Sequence, residues 1–249
     1  MSVVPENILE VEDLDDIEVQ ETLEGQYNRG FVVENEYDFE GEIVDRPEEV
    51  VLWTPIEDTT PDMESQGDLL SYHLARYRNA EVMRREGLEV PAAEVIGGDT
   101  GEGYATFLAT SFIDHDCFDQ RPKIPGGDPR RNNPHAPDPY ENPERRKFEA
   151  KIDKALADID GEQLVADGEI VNAGSGSIDG HNKNWGLYNG DLVRLDIGEV
   201  PAEGAVWNSM PYEGPKEFYR EEGIRDDAEA LLYDEGINPD KSLEFRRLM

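Results

Sequence analysis

Lysine is scarce in this chain. Its 249 residues hold 7 lysines and 16 arginines against 58 acids, a formal net charge of −35. The first lysine is Lys123, so no side-chain ammonium precedes it. Cysteine is scarcer still. The single Cys117 excludes an intramolecular disulfide and points to a reducing interior. It reads as a half-buried residue near a strand end, because nothing around it forms a base and orienter pair. Long apolar runs are absent. None approaches the ~20 residues that span a bilayer. The opening "MSVVPENILEVEDLDD" has neither the basic n-region nor the apolar core of a signal peptide. A soluble protein with no membrane partner is expected.

The acid excess admits three readings: a hydration shell suited to very high salt, a nucleic-acid mimic, or a disordered acidic chain. Three Trp, ten Tyr and eight Phe argue for a packed core and against the last. The acids run along the whole chain rather than in one block. That favours salt adaptation, in a high-salt cytoplasm or in a virus particle assembled there. Non-specific nucleic-acid binding is excluded as a surface-wide property, because phosphates would be repelled.

Four regions follow. Residues 1–24 read as an acidic tail in which Ile8, Val11, Leu14, Ile17 and Val19 alternate with acids, suited to docking on a protein partner. Residues 25–115 carry strand signals in "GQYNRGFVVENEY", "GEIVDRP" and "EEVVLWTPI". A helix from about Asp68 to Glu86 follows, with Leu70, Leu74, Tyr77 and Glu81 on one stripe and Gly87 as its stop. Two further strands flank the turn "GDTGEG". Residues 116–147 are rich in proline and glycine. Between Arg121 and Lys147 seven bases meet four acids, a contact arm for an acidic partner or an internal counterweight to the chain's own acids. Residues 148–249 begin with a helix that places Phe148, Ile152, Ala155 and Ile159 on one face.

The chemistry concentrates in Ile178 to Val200, "IDGHNKNWGLYNGDLVRLDIGEV". Asn189-Gly190 is a strong hairpin signal, and the hairpin would bring Asn184 near Asp196. Their oxygens are hard ligands suited to Mg²⁺ held against phosphates. Asp179, five residues before Asn184, can accept the proton of an attacking hydroxyl. Lys183 can neutralise a transferring phosphoryl group. The bland alternative is a turn whose Asx side chains are satisfied locally.

The order D-x-x-x-x-N, hairpin, D-x-G resembles that of protein-kinase-like phosphotransferases. "DGHNKN" is similar to the catalytic loop of HipA-type kinases and, more loosely, to that of phosphatidylinositol kinases. "LDIGE" resembles the D-F-G segment, with Ile197 for the aromatic. The resemblance implies an α+β, two-lobed protein-kinase-like fold: a small stranded N-lobe with one helix, and a reduced, mostly helical C-lobe. It implies Asp179 and Lys183 as catalytic residues, and Glu81 and His181 as cofactor-binding ones, Glu81 as the helix glutamate of the nucleotide-anchoring pair and His181 as a phosphate neighbour. Asn184 and Asp196 would be the Mg²⁺ ligands. It covers about residues 25–200 and is specific at 179–198.

One part of the pattern is missing. Kinases of this fold pair a third-strand lysine with the helix glutamate, and "EEVVLWTPI" offers Trp53 or a neighbour instead. Arg29 or Arg46 would be an imperfect substitute, because a guanidinium fork is not an ammonium. No clean glycine-rich phosphate loop is visible either. Three functions therefore stand at this point. One is an atypical kinase whose phosphates are held by Lys183, Arg194 or the basic arm. Another is a pseudokinase-like scaffold in a larger assembly. The last is an acidic nucleic-acid mimic.

Overall fold

A computed structural model describes residues 4–11, 14, 17–25, 28–35, 48–56, 63–85, 87–100, 103–113, 143–158, 165–166, 169–170, 184–197 and 223–243. The fold is α+β. Its centre is a six-stranded sheet of β1 (Leu9–Val11), β2 (Val19–Glu24), β3 (Asn28–Glu34), β4 (Glu49–Pro55), β5 (Ala93–Thr100) and β6 (Gly103–Ser111). The strands lie in the order β1-β5-β6-β4-β3-β2. All neighbours are antiparallel except β1, which runs parallel to β5.

Helix α1 (Gln66–Arg85) connects β4 to β5 across one face of the sheet. Ser65 and Asp68 form a capping box at its start: the Asp68 carboxylate accepts from the Ser65 backbone N–H at 3.0 Å, and the Ser65 hydroxyl accepts from Asp68 N–H at 3.3 Å. At its end, Gly87 N–H bonds Arg84 O and Leu88 N–H bonds Met83 O, the Schellman pattern that a glycine stop predicts. Leu69, Leu70, Leu74, Ala80 and Met83 pack with Val95, Tyr104 and Leu108 of the sheet.

The opposite face of the sheet buries Phe31, Val33, Val50, Leu52, Ile96 and Phe107. Leu9, Val11, Leu14, Ile17 and Val19 pack onto that cluster. The described residues between 4 and 24 therefore lie on the sheet. The apolar members of that alternation are spent on the protein's own sheet, and β1 and β2 are both paired strands.

Helix α2 (Pro143–Asp158) opens on proline, where a missing N–H costs nothing. Its Phe148 and Ile152 pack on Trp185 of β9 (Trp185–Tyr188). β9 pairs with β10 (Asp191–Arg194) through Asn189-Gly190, both at positive φ (52° and 90°), as a two-residue hairpin requires. A short pair, β7 (Val165–Ala166) and β8 (Glu169–Ile170), lies between α2 and β9 in sequence.

The last helix, α3 (Ile224–Asp234), departs from the expected division at residue 148. Ile224, Ala228 and Leu232 join the core around α1 instead of a separate helical lobe. The reason is electrostatic as well as apolar. Arg225, only 6% exposed, donates to Asp68 at 2.8 Å and to Glu229 at 2.7 Å, and lies 3.4 Å from Asp240. Its guanidinium occupies the space where a Cβ on Gly67 would stand. The following turn completes the cap of α1: Pro239 O and Lys241 O accept from Gly67 N–H and Gln66 N–H. No helix among the described residues is long and apolar enough to cross a membrane.

Replacing Arg225 by Ala leaves Asp68 buried without its cation, a change worth about 3 kcal/mol or more. Denaturant unfolding at constant salt should show a matching fall in the midpoint. A loss under about 1 kcal/mol would mean that the carboxyl finds water, and that this contact does not hold α3 in place.

Candidate functional site

The hairpin performs the juxtaposition expected of it. Asn184 stands just before β9, and its carbonyl accepts from Leu195 N–H at 2.8 Å and from Asp196 N–H at 3.4 Å. Asn184 is buried, whereas the Asp196 side chain is 35% exposed. The two therefore meet at the base of the hairpin, with the carboxylate open to solvent.

Three contacts dock this base. Arg194 N–H donates to Glu89 O at 2.8 Å, just beyond the end of α1. The buried Arg194 side chain stacks over Trp185, 5.0 Å from the ring centre, and its Nε donates to Asp196 O at 2.7 Å. That removes Arg194 from the residues available to hold a phosphate. From α1, Asn79 Nδ2 donates to Ile197 O at 3.2 Å, and Ile197 enters the α1 core.

Helical geometry decides which residues of α1 face the hairpin base. Tyr72, Arg76 and Asn79 fall on one stripe at i, i+4 and i+7. Arg76 Nη2 lies 3.6 Å from Asp196 Oδ1. Its Nη1 donates to the Tyr72 hydroxyl at 3.3 Å, and that hydroxyl donates to Asn28 Oδ1 of β3 at 2.7 Å. Burial pushes the Tyr72 hydroxyl above its ordinary pKa, against the opposing pull of Arg76, so it remains a protonated donor.

Glu81 is on the other side of the helix. Five residues from Arg76, it is rotated by about 140°. Its carboxylate pairs with Arg84 of the same helix. Its neighbours are Tyr77 and Glu94, whose pKa values rise first through burial and then through the nearby acids. The stripe that Glu81 shares with Tyr77 is turned away from Arg76, the α1 residue seen beside Asp196. Asn79 holds the inward position.

Trp53 stands on the third antiparallel strand, β4, on the face toward α1. Its indole lies over Gly30, where any Cβ would collide with the ring, and its Nε1–H donates to Thr110 Oγ1 at 2.9 Å. Arg29 sits in the alternate register and pairs at 3.7 Å with Glu24 in an exposed contact. Arg46, Asp179, His181, Lys183 and the basic arm 121–142 lie outside the described residues.

Asn184 and Asp196 suit a magnesium ion in donor chemistry, because Mg²⁺ in phosphate sites takes one or two protein oxygens and leaves the rest to water and substrate. Among the described residues no group of three or more His, Cys, Asp or Glu side chains is placed to hold a metal ion. Arg76 was not singled out by the sequence. Its signal was the polar stripe Tyr72–Arg76–Asn79 in a helix whose other stripe is apolar. No protein-family model matches the chain, nor does any curated protein.

His73, beside Tyr72, is fully buried. Its Nε2–H donates to Thr106 O at 3.1 Å and no partner meets Nδ1, so the ring is neutral. Burial pushes its pKa down to about 3. The unfolded chain takes up this proton near pH 6.5, so the stabilisation is complete above that pH and is lost progressively as pH falls toward 3. Between those limits wild type should lose about 1.4 kcal/mol more per pH unit than His73→Gln, read from parallel unfolding curves at pH 7 and pH 5. Equal pH slopes would show that the imidazole is hydrated.

Proposed function

We propose that this chain is a kinase-like phosphotransfer protein using Mg²⁺ and ATP, with Asn184 and Asp196 as the metal ligands. One observation carries the reading: the hairpin returns Asp196 to Asn184 and is fastened there to the helix that crosses between the third antiparallel strand and the next two. The chain order supports it. Strands β2, β3 and β4, helix α1, strands β5 and β6, helix α2 and then the motif-bearing hairpin follow the succession that the catalytic-loop resemblance implies.

On this reading Asp179 takes the proton of the acceptor hydroxyl, and Lys183 and His181 neighbour the transferring phosphoryl group. Mg²⁺ would neutralise charge on the phosphates. The chain's own part is to keep the two residues together, and the backbone hydrogen bonds from Leu195 and Asp196 to Asn184 O support that. The high-salt setting and a protein partner at the basic arm remain part of the proposal, on the charge balance alone.

A second reading has its own observation. Trp53 fills the strand and face where a nucleotide-anchoring lysine would stand. A chain so altered would serve as a scaffold of kinase-like shape within a larger assembly, such as a virus particle.

Equilibrium binding of ATP in high salt, with and without Mg²⁺, separates the two. The expected result is Mg²⁺-dependent binding in the wild type that weakens tenfold or more in Asp196→Ala, the order expected for one lost charge-assisted ligand. No binding by either protein would sink the phosphotransfer reading and leave the scaffold.

A further inference from the structure

We infer that Arg76, from helix α1, is the phosphate-anchoring cation of this site, in the role that a strand lysine would otherwise fill. The inference rests on the kinase-like reading and names a residue outside its motif.

Arg76 is anchored on both the helix and the sheet. Its side chain is only 11% exposed, so it is built into the fold rather than carried on the surface. One nitrogen donates to Tyr72 and the cation lies 5.6 Å from the centre of that ring. Tyr72 is in turn held by Asn28 of β3, so strand and helix together fix where the guanidinium stands. A charged group so oriented loses little freedom on binding an anion, which is the value of preorganisation.

The contact with Asp196 is informative in its length. At 3.6 Å it is an ion pair with space in it, longer than the 2.7–2.9 Å of a closed charge-assisted hydrogen bond. The acid is three times as exposed as the base, 35% against 11%. Cation and carboxylate thus stand side by side at the hairpin base, with the carboxylate outermost. That is the arrangement a magnesium–phosphate ligand requires: one oxygen-donor group for the metal and one fork for phosphate oxygens. A guanidinium can serve carboxylate and phosphate together because its donors point in several directions.

Four other described arginines have partners elsewhere. Arg29 faces Glu24, Arg84 faces Glu81, Arg225 faces Asp68, and Arg194 lies beneath the backbone of Asp196. Arg76 pairs with the acid of the D-x-G segment itself.

The test compares ATP with adenosine, both with Mg²⁺ at fixed salt, on the full chain by calorimetry. The two ligands share the base and sugar and differ in the phosphates, so their affinity ratio reports the phosphate contact alone. The expected result for Arg76→Gln is a fall of about tenfold or more in the ATP:adenosine ratio, with adenosine binding retained as evidence of folding. Arg76→Lys should restore part of the ratio. If Arg76→Gln binds no adenosine, Arg76→Met takes its place, since its unbranched stem preserves the packing on Tyr72. An unchanged ratio in a folded Gln or Met variant overturns the role of Arg76 and leaves the nucleotide site standing. A wild type that binds neither ligand overturns the kinase-like reading, and the inference with it.

Discussion

Helix α1 is buried on several sides at once, and the rest of the structure follows from having to satisfy it. The sheet covers one face, α3 packs beside it, and the base of the β9–β10 hairpin meets its C-terminal half. A helix so enclosed cannot leave polar side chains in water. Gln66, Asp68, Ser71, His73 and Asn79 are all buried, and each has a hydrogen bond: to Tyr104 O, to Arg225 and Ser65, to Gly67 O, to Thr106 O and to Ile197 O. An unmet group of this kind costs about 1–3 kcal/mol, so these bonds act more as constraints on who may pack here than as sources of stability. Two of them reach far along the chain. Asp68 requires Arg225, and Asn79 bonds Ile197, which ties the N-terminal half to the C-terminal helix and to the motif.

This arrangement matters for a molecule with a formal charge of −35. Self-repulsion acts across the whole surface and is screened over about 8 Å at physiological ionic strength and about 3 Å at 1 M. Buried pairs such as Arg225–Asp68 are screened far less. Salt therefore relieves the repulsion while sparing the internal ion pairs, so the fold gains from conditions that would weaken a surface built on exposed bridges. With so few bases available, placing Arg76, Arg194 and Arg225 inside the molecule is a large commitment. Each one meets at least one backbone or carboxylate oxygen there.

Where the local pattern and the tertiary contacts agree, the sequence was readable. The 189–190 hairpin, the β5–β6 pair and the ends of α1 were all legible, because each rests on a turn residue or a cap acting over four or five positions. The meeting of Asn184 and Asp196 followed from the hairpin alone. The apolar alternation in residues 1–24 was visible, but its destination was not: nothing local distinguishes docking on one's own sheet from docking on a partner. The placement of α3 failed for the same reason, since Arg225 and Asp68 are 157 positions apart. The periodicity of α1 selects one inward face, the apolar stripe that carries Glu81. In a helix buried on two sides there are two such faces, and the second is marked by Tyr72, Arg76 and Asn79, polar residues that no hydrophobic pattern selects.

The absence of a lysine on β4 and the rotation of Glu81 away from Asp196 are best understood together. A buried ammonium without its glutamate, or a buried glutamate without its ammonium, leaves an uncompensated charge worth about 3–5 kcal/mol. Neither can be lost alone at small cost, and here neither is present at the hairpin base. Trp53 takes the strand position with an apolar ring and one satisfied N–H, and neutral Asn79 takes the inward position on the helix. What remains is the negative charge of Asp196, and Arg76 balances it from the helix side. On the kinase-like reading, an arrangement of one cation and two carboxylates is exchanged for one cation and one carboxylate, Arg76 and Asp196. On that reading, a loop with the letters of a catalytic loop stands beside a β4 strand that carries no lysine. The constraint at the hairpin base is the charge of Asp196, which a guanidinium from the helix meets here.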